Sequence, residues 1–180
     1  RSMRLQAELA IRSADVIVFM CDVNAGLVAD DREIAVMLKK SGKPVVIAVN
    51  KVDKVGEVPY GFYEFYELGF EHDPIPVSSL HGTGSGDLLD AVLSECDFSE
   101  NDGHEEGVIN VAVIGKPNAG KSSIINRLCG EERVIVSYVA GTTRDAVDTR
   151  IENSEGTFNF IDTAGIRRQS KVEDRIERFS

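Results

Sequence analysis

The sequence predicts an α/β protein, a mostly parallel sheet with helices packed on its faces. Three observations lead there. Continuous apolar runs such as Val16–Cys21, Pro44–Val49 and Val108–Ile114 read as strands buried on both sides. Amphipathic stretches of helical period lie between them, the alternation that parallel pairing requires. A glycine-rich turn, Gly115-Lys-Pro-Asn-Ala-Gly-Lys-Ser122, then stands between one such strand and a helix.

Met3 to Ile11 reads as a helix because Leu5 and Leu9, and Ala7 and Ile11, recur at helical spacing. The strand at Val16 and a helix over Asp30–Leu38 follow, then the strand from Pro44, which runs into Asn50-Lys-Val-Asp53. Pro59–Leu68 is expected to be helical. Asp73–Val77 is expected to be a short strand entering Ser78-Ser79, and Asp87–Cys96 a helix after Gly86. Asp97–Gly107 is acidic and nearly devoid of apolar side chains, which marks a linker. Beyond it come the strand from Val108, a helix over Lys121–Leu128, and strands over Thr143–Glu152 and Gly156–Ile161 joined by a turn at Asn153–Gly156. A charged helical stretch, Val172–Phe179, is expected last.

Lys and Arg number 20 against 30 Asp and Glu among 180 residues, a net charge of -10, which argues against a protein that coats nucleic acid. With 42% hydrophobic and 28% charged residues the composition is that of a globular chain, not a disordered one. No apolar run nears the roughly 18 residues of a membrane span, and the first residues lack the order of a secretory signal. Cys21, Cys96 and Cys129 are odd in number and lack metal-type spacing, so a reduced cytoplasmic setting is expected. His72, His81 and His104 are too far apart in sequence for an obvious metal site.

The turn at Gly115–Ser122 fits the phosphate-binding pattern G-x-x-x-x-G-K-[ST]. Its glycines let backbone N–H groups face phosphate oxygens, and the following helix N-terminus adds partial positive charge. Lys121 would pair with the β- and γ-phosphates, and the Ser122 hydroxyl would sit on Mg²⁺. A plain strand-to-helix turn is the simpler alternative, and the Lys-Ser pair speaks against it.

Phosphate loops serve adenine and guanine nucleotides alike, so the base must be read elsewhere. Asn50-Lys51-Val52-Asp53 ends a buried strand, where open α/β sheets bind ligands. The Asp53 carboxylate can accept from guanine N1–H and the exocyclic amine, a donor pair adenine lacks. Asn50 and the Lys51 stem would shape the pocket, and a backbone N–H near Ser78-Ser79 could meet guanine O6. Downstream, the Asp162 carboxylate of Asp162-Thr-Ala-Gly165 can hold Mg²⁺ through water, and the Gly165 N–H can sense the γ-phosphate. Between these motifs lies Gly141-Thr142-Thr143-Arg144-Asp145, where Thr143 would complete the Mg²⁺ shell when a third phosphate is present.

With these motifs the chain resembles the translation-factor-like GTPases and, more closely, the tandem-GTPase ribosome-assembly family known as Der or EngA. The resemblance rests on Gly115–Ser123, Ala140–Asp145, Asp162–Arg168, Gln6–Ile11, Asn50–Asp53 and Lys171–Arg178, and covers nearly the whole chain. It implies a P-loop, Ras-like G-domain fold present as two partial domains. Residues 1–97 would be the back half of a first G domain, 98–107 the linker, and 108–180 the front half of a second. It also implies a GTP hydrolase acting in large-subunit ribosome biogenesis, with GTP/GDP and Mg²⁺ as ligands, a ribosomal particle as partner, no membrane association and a monomeric state. The candidate nucleotide contacts are Asn118, Ala119, Gly120, Lys121, Ser122 and Ser123, Asn50, Lys51 and Asp53, Ser78 and Ser79, and Asp162, Thr163, Ala164 and Gly165. Lys121, Thr143 and Gly165 carry the catalytic roles, and Ser122, Thr143 and Asp162 the Mg²⁺.

Ile166 stands where Ras-like enzymes place a water-orienting Gln, so slow turnover is expected. Relatives compensate with K⁺ held partly by a phosphate-loop Asn, a position that Asn118 matches. Arg167, Arg168 and Lys171 form a basic cluster that could touch RNA or simply face solvent. The motif order, base recognition before phosphate loop, is that of a circularly permuted GTPase. Either the two halves pack as one pseudo-permuted G domain, or each pairs with sequence absent here. A partner-binding fragment without appreciable turnover is the other class of function.

Overall fold

The computed structural model describes residues 2–96, 107–141, 146–168, 171 and 175. In chain order its elements are α1 (Ser2–Ser13), β1 (Val16–Asp22), α2 (Ala29–Ser41), β2 (Val45–Asn50), a 3-10 helix (Tyr60–Leu68) and β3 (Ile75–Pro76). There follow α3 (Ser85–Ser94), β4 (Val108–Gly115), α4 (Lys121–Cys129), β5 (Ile135–Ala140), β6 (Val147–Glu152) and β7 (Thr157–Phe160).

All seven strands join one sheet in the order β3-β2-β1-β4-β7-β6-β5. The pairs β1–β2, β2–β3, β1–β4 and β4–β7 are parallel, whereas β5–β6 and β6–β7 are antiparallel. The α/β class with a mostly parallel sheet therefore holds. β1 lies between β2, with Ile17 opposite Val45, and β4, with Val16 opposite Val111. Sequence from both sides of the acidic segment thus meets at the middle of the sheet.

Uninterrupted apolar runs at β1 and β2 are the consequence of helices on both faces. On one face α1, α2 and the 3-10 helix bury Phe19, Ile47, Leu38 and Phe65, together with Ala112, Ile114 and Ile161 from beyond residue 107. On the other, α3 and α4 bury Val18, Met20 and Leu88 with Val113, Ile125 and Phe158. Each face is completed by both halves of the sequence.

α1 is fixed at its end, where the Asp15 N–H donates to the Asn110 carbonyl at 2.8 Å and its carboxylate accepts from the Asn110 N–H. Lys43 Nζ donates to the carbonyls of Arg12 and Ala14. α2 starts with the Val28 N–H on the Asp31 carboxylate and stops at Gly42, whose φ of 71° needs the left-handed region.

Tyr60–Leu68 is helical as expected, in the 3-10 form, its Phe62, Phe65 and Leu68 buried at three-residue spacing. Two elements differ from the sequence reading. The helix expected from Asp87 starts at Ser85, with Gly84 before it in the left-handed region, so Gly86 lies inside it. β5 was not anticipated: it is an outer strand whose side chains are exposed or half-buried throughout, so it lacks the apolar signature of the central strands. The expected linker over 98–106, Thr143 and the stretch after Lys171 apart from Arg175 lie outside the described residues.

Candidate functional site

β1, β2 and β4 point the same way, and their registers bring Asp22 opposite Asn50 and Met20 opposite Gly115. The carboxyl ends of three strands therefore gather at one edge, the usual binding side of an open parallel sheet.

The phosphate-loop sequence leaves β4 at Gly115 and enters α4 at Lys121. Gly115 runs so close to β1 that a Cβ there would lie 2.5 Å from the Met20 carbonyl oxygen. Gly120 adopts φ 98°, and a Cβ on it would lie 2.1 Å from Asn50 Nδ2. Lys121 Nζ donates to the Gly115 carbonyl at 2.7 Å, folding the side chain back over the loop. Asn118 is exposed and has φ 65°.

The base-recognition motif touches this loop directly. Asn50, 3% exposed, donates through Nδ2 to the Ala119 carbonyl at 3.0 Å. Its Oδ1 accepts from the Ser79 N–H and hydroxyl at 3.1 and 3.0 Å. One amide thereby ties the base-recognition motif to both the phosphate loop and Ser79. Asp53 is exposed and accepts from the buried Ser78 hydroxyl at 2.6 Å, which aims the carboxylate without consuming its second oxygen. Arg127 of α4 holds the loop after Ser79 by donating to the His81 carbonyl at 2.9 Å.

Lys51 has φ 70° and places Nζ 2.6 Å from Asp22. Burial pushes the Asp22 carboxyl up, but the Lys51 hydrogen bond, the N–H groups of Asn24 and Ala25, and the Lys51 charge outweigh it, so it titrates below its ordinary 3.8. A lowered folded-state value adds stability above the ordinary pKa, and that stability is lost as pH falls through the lowered one. The stability difference between the parent and Asp22→Asn is therefore expected to be larger at about pH 6 than at about pH 3. Urea unfolding at both pH values checks this, and a difference that does not shrink in acid refutes it.

The third motif follows β7. Asp162 has φ 48°, its N–H donates to the buried Asp148 carboxylate at 2.8 Å, and its Oδ1 accepts from the Gly165 N–H at 3.1 Å. The donor expected to face a third phosphate thus rests on Asp162. Thr163, 2% exposed, shares a 2.6 Å hydrogen bond with Thr149, so its hydroxyl is structural in this arrangement. Residues 163–168 are helical, with Ala164 half-buried and Gly165 buried. Among the described residues only four non-glycine positions have positive φ, and Lys51, Asn118 and Asp162 are three of them. Backbone strain of this kind gathers at functional sites.

A cleft of about 120 Å³ lies between the phosphate loop, Asp162 to Ile166 and α1, lined by Gly115, Pro117, Lys121, Asp162, Gly165 and by Gln6, Ala7 and Ala10. Ser122 is half-buried and Ser123 exposed, both in the first turn of α4. Among the described residues no group of three or more His, Cys, Asp or Glu side chains could hold a metal. The Ser122 hydroxyl and Asp162 carboxylate are nonetheless hard oxygen donors, the kind that suits Mg²⁺ completed by phosphate and water.

Sequence reading did not single out Asp22 or Asp148. A charged residue ending or interrupting a buried strand is the signal that would have found them. Burial raises all three thiols: Cys21 is in the core, Cys96 is pushed up to about 11, and Cys129 is raised despite Arg167 nearby. Arg167 lies over the Tyr138 ring of β5, 5.3 Å from its centre, while Arg168 and Lys171 are exposed. His72 contacts Glu95. No helix among the described residues is long and apolar enough to cross a membrane.

Residues 6–97 match the family model of the elongation factor Tu GTP binding domain, and residues 110–180 that of the 50S ribosome-binding GTPases. Over its full length the chain is 57% identical to the GTPase Der of Acetivibrio thermocellus and 56% identical to that of Ruminiclostridium cellulolyticum. It is 56% identical to that of Alkaliphilus metalliredigens over 99% of its length. The chain spans only 40–41% of the length of these relatives. Among solved structures, that of Era with MgGDPNP and nucleotides 1506–1542 of 16S ribosomal RNA is similar at a TM-score of 0.44 and 24% identity, over 78% of this chain and 51% of that one.

Proposed function

This chain belongs to the GTPase Der family, and from that premise we propose that it binds guanine nucleotide and hydrolyses GTP. The observation that carries the reading is the Asn50–Ala119 hydrogen bond, which seats the base motif against the phosphate loop. It also favours the arrangement in which residues 1–97 and 108–180, separated by the linker 98–107, build one site between them.

In this reading Asp53 accepts from the guanine edge, Asn50 and Lys51 line the base, and the Ser79 N–H exchanges Asn50 Oδ1 for guanine O6. Backbone N–H groups from Asn118 to Ser123 and Lys121 Nζ take the phosphates. Ser122, Thr143 and Asp162 would hold Mg²⁺, which when bound would supply positive charge to neutralise the phosphates. The Gly165 N–H leaves Asp162 for the third phosphate, so the Asp162–Ala164 turn reports which nucleotide is bound. Attack by water in line with the scissile bond is then largely a matter of positioning and charge.

Titration of this chain with fluorescent GDP and ADP analogues tests the proposal. Guanine-selective binding is expected, and equal affinity for both or binding of neither refutes it. Asn118, exposed at the loop's turn, is the candidate K⁺ ligand. Replacing K⁺ by Na⁺ at constant ionic strength is expected to lower the rate of phosphate release roughly tenfold, in the range a single lost oxyanion-type contact gives or below it. Equal rates would remove Asn118 from that role. We infer that the full-length protein acts at the ribosome in large-subunit biogenesis in the cytoplasm; the match of residues 110–180 to the 50S ribosome-binding GTPase model supports the ribosomal part, and co-sedimentation with ribosomal subunits in GTP against GDP would test it.

A further inference from the structure

Ile166 cannot hold an attacking water, yet the cleft beside it contains an amide. Of the residues that line it, only Gln6, Lys121 and Asp162 carry polar side chains. Lys121 Nζ is engaged with Gly115 and Asp162 Oδ1 with Gly165. Gln6 alone of the three offers both a donor and an acceptor with no charge, the combination that can hold a water and a phosphate oxygen at once. It lies one turn before Ala10 on the same face of α1, and that helix is held by the paired Asp15–Asn110 bonds and by Lys43. α1 is thus anchored at one end while Gln6, exposed, reaches the rim of the cleft.

Resting on the GTPase reading above, we propose that Gln6 is a catalytic residue of this chain, orienting the water that attacks the γ-phosphate from across the cleft. Its side-chain carbonyl accepts a hydrogen bond from the water and its NH₂ donates to a γ-phosphate oxygen. The water oxygen bonds to the γ-phosphorus as the bond to the β–γ bridging oxygen breaks. The electron pair leaves with GDP, and the water proton passes to the released phosphate and then to solvent. Gln6 gains and loses no proton; its contribution is orientation, for which a misplacement of about 1 Å is enough to slow a reaction roughly 100-fold.

The test compares the parent, Gln6→Ala and Arg4→Ala, the last on the same helix but outside the cleft. Affinity for a non-hydrolysable GTP analogue is measured first, then single-turnover hydrolysis. Ala is the better helix former and Gln6 is exposed, so Gln6→Ala leaves folding intact. The expected result is unchanged affinity, hydrolysis at least about tenfold slower in Gln6→Ala, and parental rates in Arg4→Ala. Parental hydrolysis in Gln6→Ala, equal slowing in both variants, or a parent that binds without hydrolysing overturns the role of Gln6. A parent that binds no guanine nucleotide instead removes the GTPase reading, and this role with it.

Discussion

Replacing Asp53 by Asn is expected to weaken GDP binding by at least about 100-fold, equivalent to roughly 2.7 kcal/mol, the scale of a lost charged hydrogen-bond pair. The carboxylate accepts only, so it matches two guanine donors, whereas the Asn amide presents its own donors to one of them. The loss is expected to be specific to the base. Asp53 is exposed, its one hydrogen bond among the described residues comes from Ser78, and an amide oxygen can still accept that bond, so stability should barely change. Xanthosine diphosphate, with a carbonyl where guanine has its amine, should be the better ligand of the variant. Titration of both nucleotides into both proteins decides this. A variant that keeps parental GDP affinity would mean that Asn50–Asp53 does not face the base.

The second large effect is expected at Gly120. Adding one methyl group in Gly120→Ala sets a Cβ 2.1 Å from Asn50 Nδ2, and φ 98° is unfavourable for any L side chain. Asn50 cannot step aside, because it is buried and held at both ends by Ala119 and Ser79. Either the phosphate loop shifts away or the Asn50 bonds break, and both outcomes separate the phosphate and base motifs. Nucleotide affinity is expected to fall at least about 100-fold, and stability by about 1–3 kcal/mol, the cost of a strained backbone position. Calorimetric titration and urea unfolding measure the two. Parental affinity in this variant would sever the link between the motifs.

Much of this was legible in the sequence for a physical reason. Strands buried on both faces must be continuously apolar, so β1, β2 and β4 announced themselves, and Gly115–Ser122 is constrained at nearly every position. β5 was illegible because an outer strand owes its conformation to pairing with β6 rather than to its own pattern. Of the site, the motif residues could be read from type and spacing. The hydrogen bonds that organise it could not: Asn50 and Ala119 are 69 positions apart, and Lys51 and Asp22 are 29 apart. Gln6 was legible only as part of the Gln6–Ile11 segment, since the packing of α1 alone brings it to the cleft.

The β1–β4 pairing also governs how the chain reaches its native state. Hairpins such as β5–β6 and neighbouring strands such as β1–β2 close short loops, but Val16 finds Val111 only across 95 positions. Loop-closure entropy grows with length, and chains dominated by distant contacts fold slowly. The centre of the sheet therefore zips up last, after its flanks, and the final step is the docking of two half-sheets along one strand edge. Until then the apolar faces of both halves are uncovered, so self-association should compete with folding most in the moments before β1 and β4 meet.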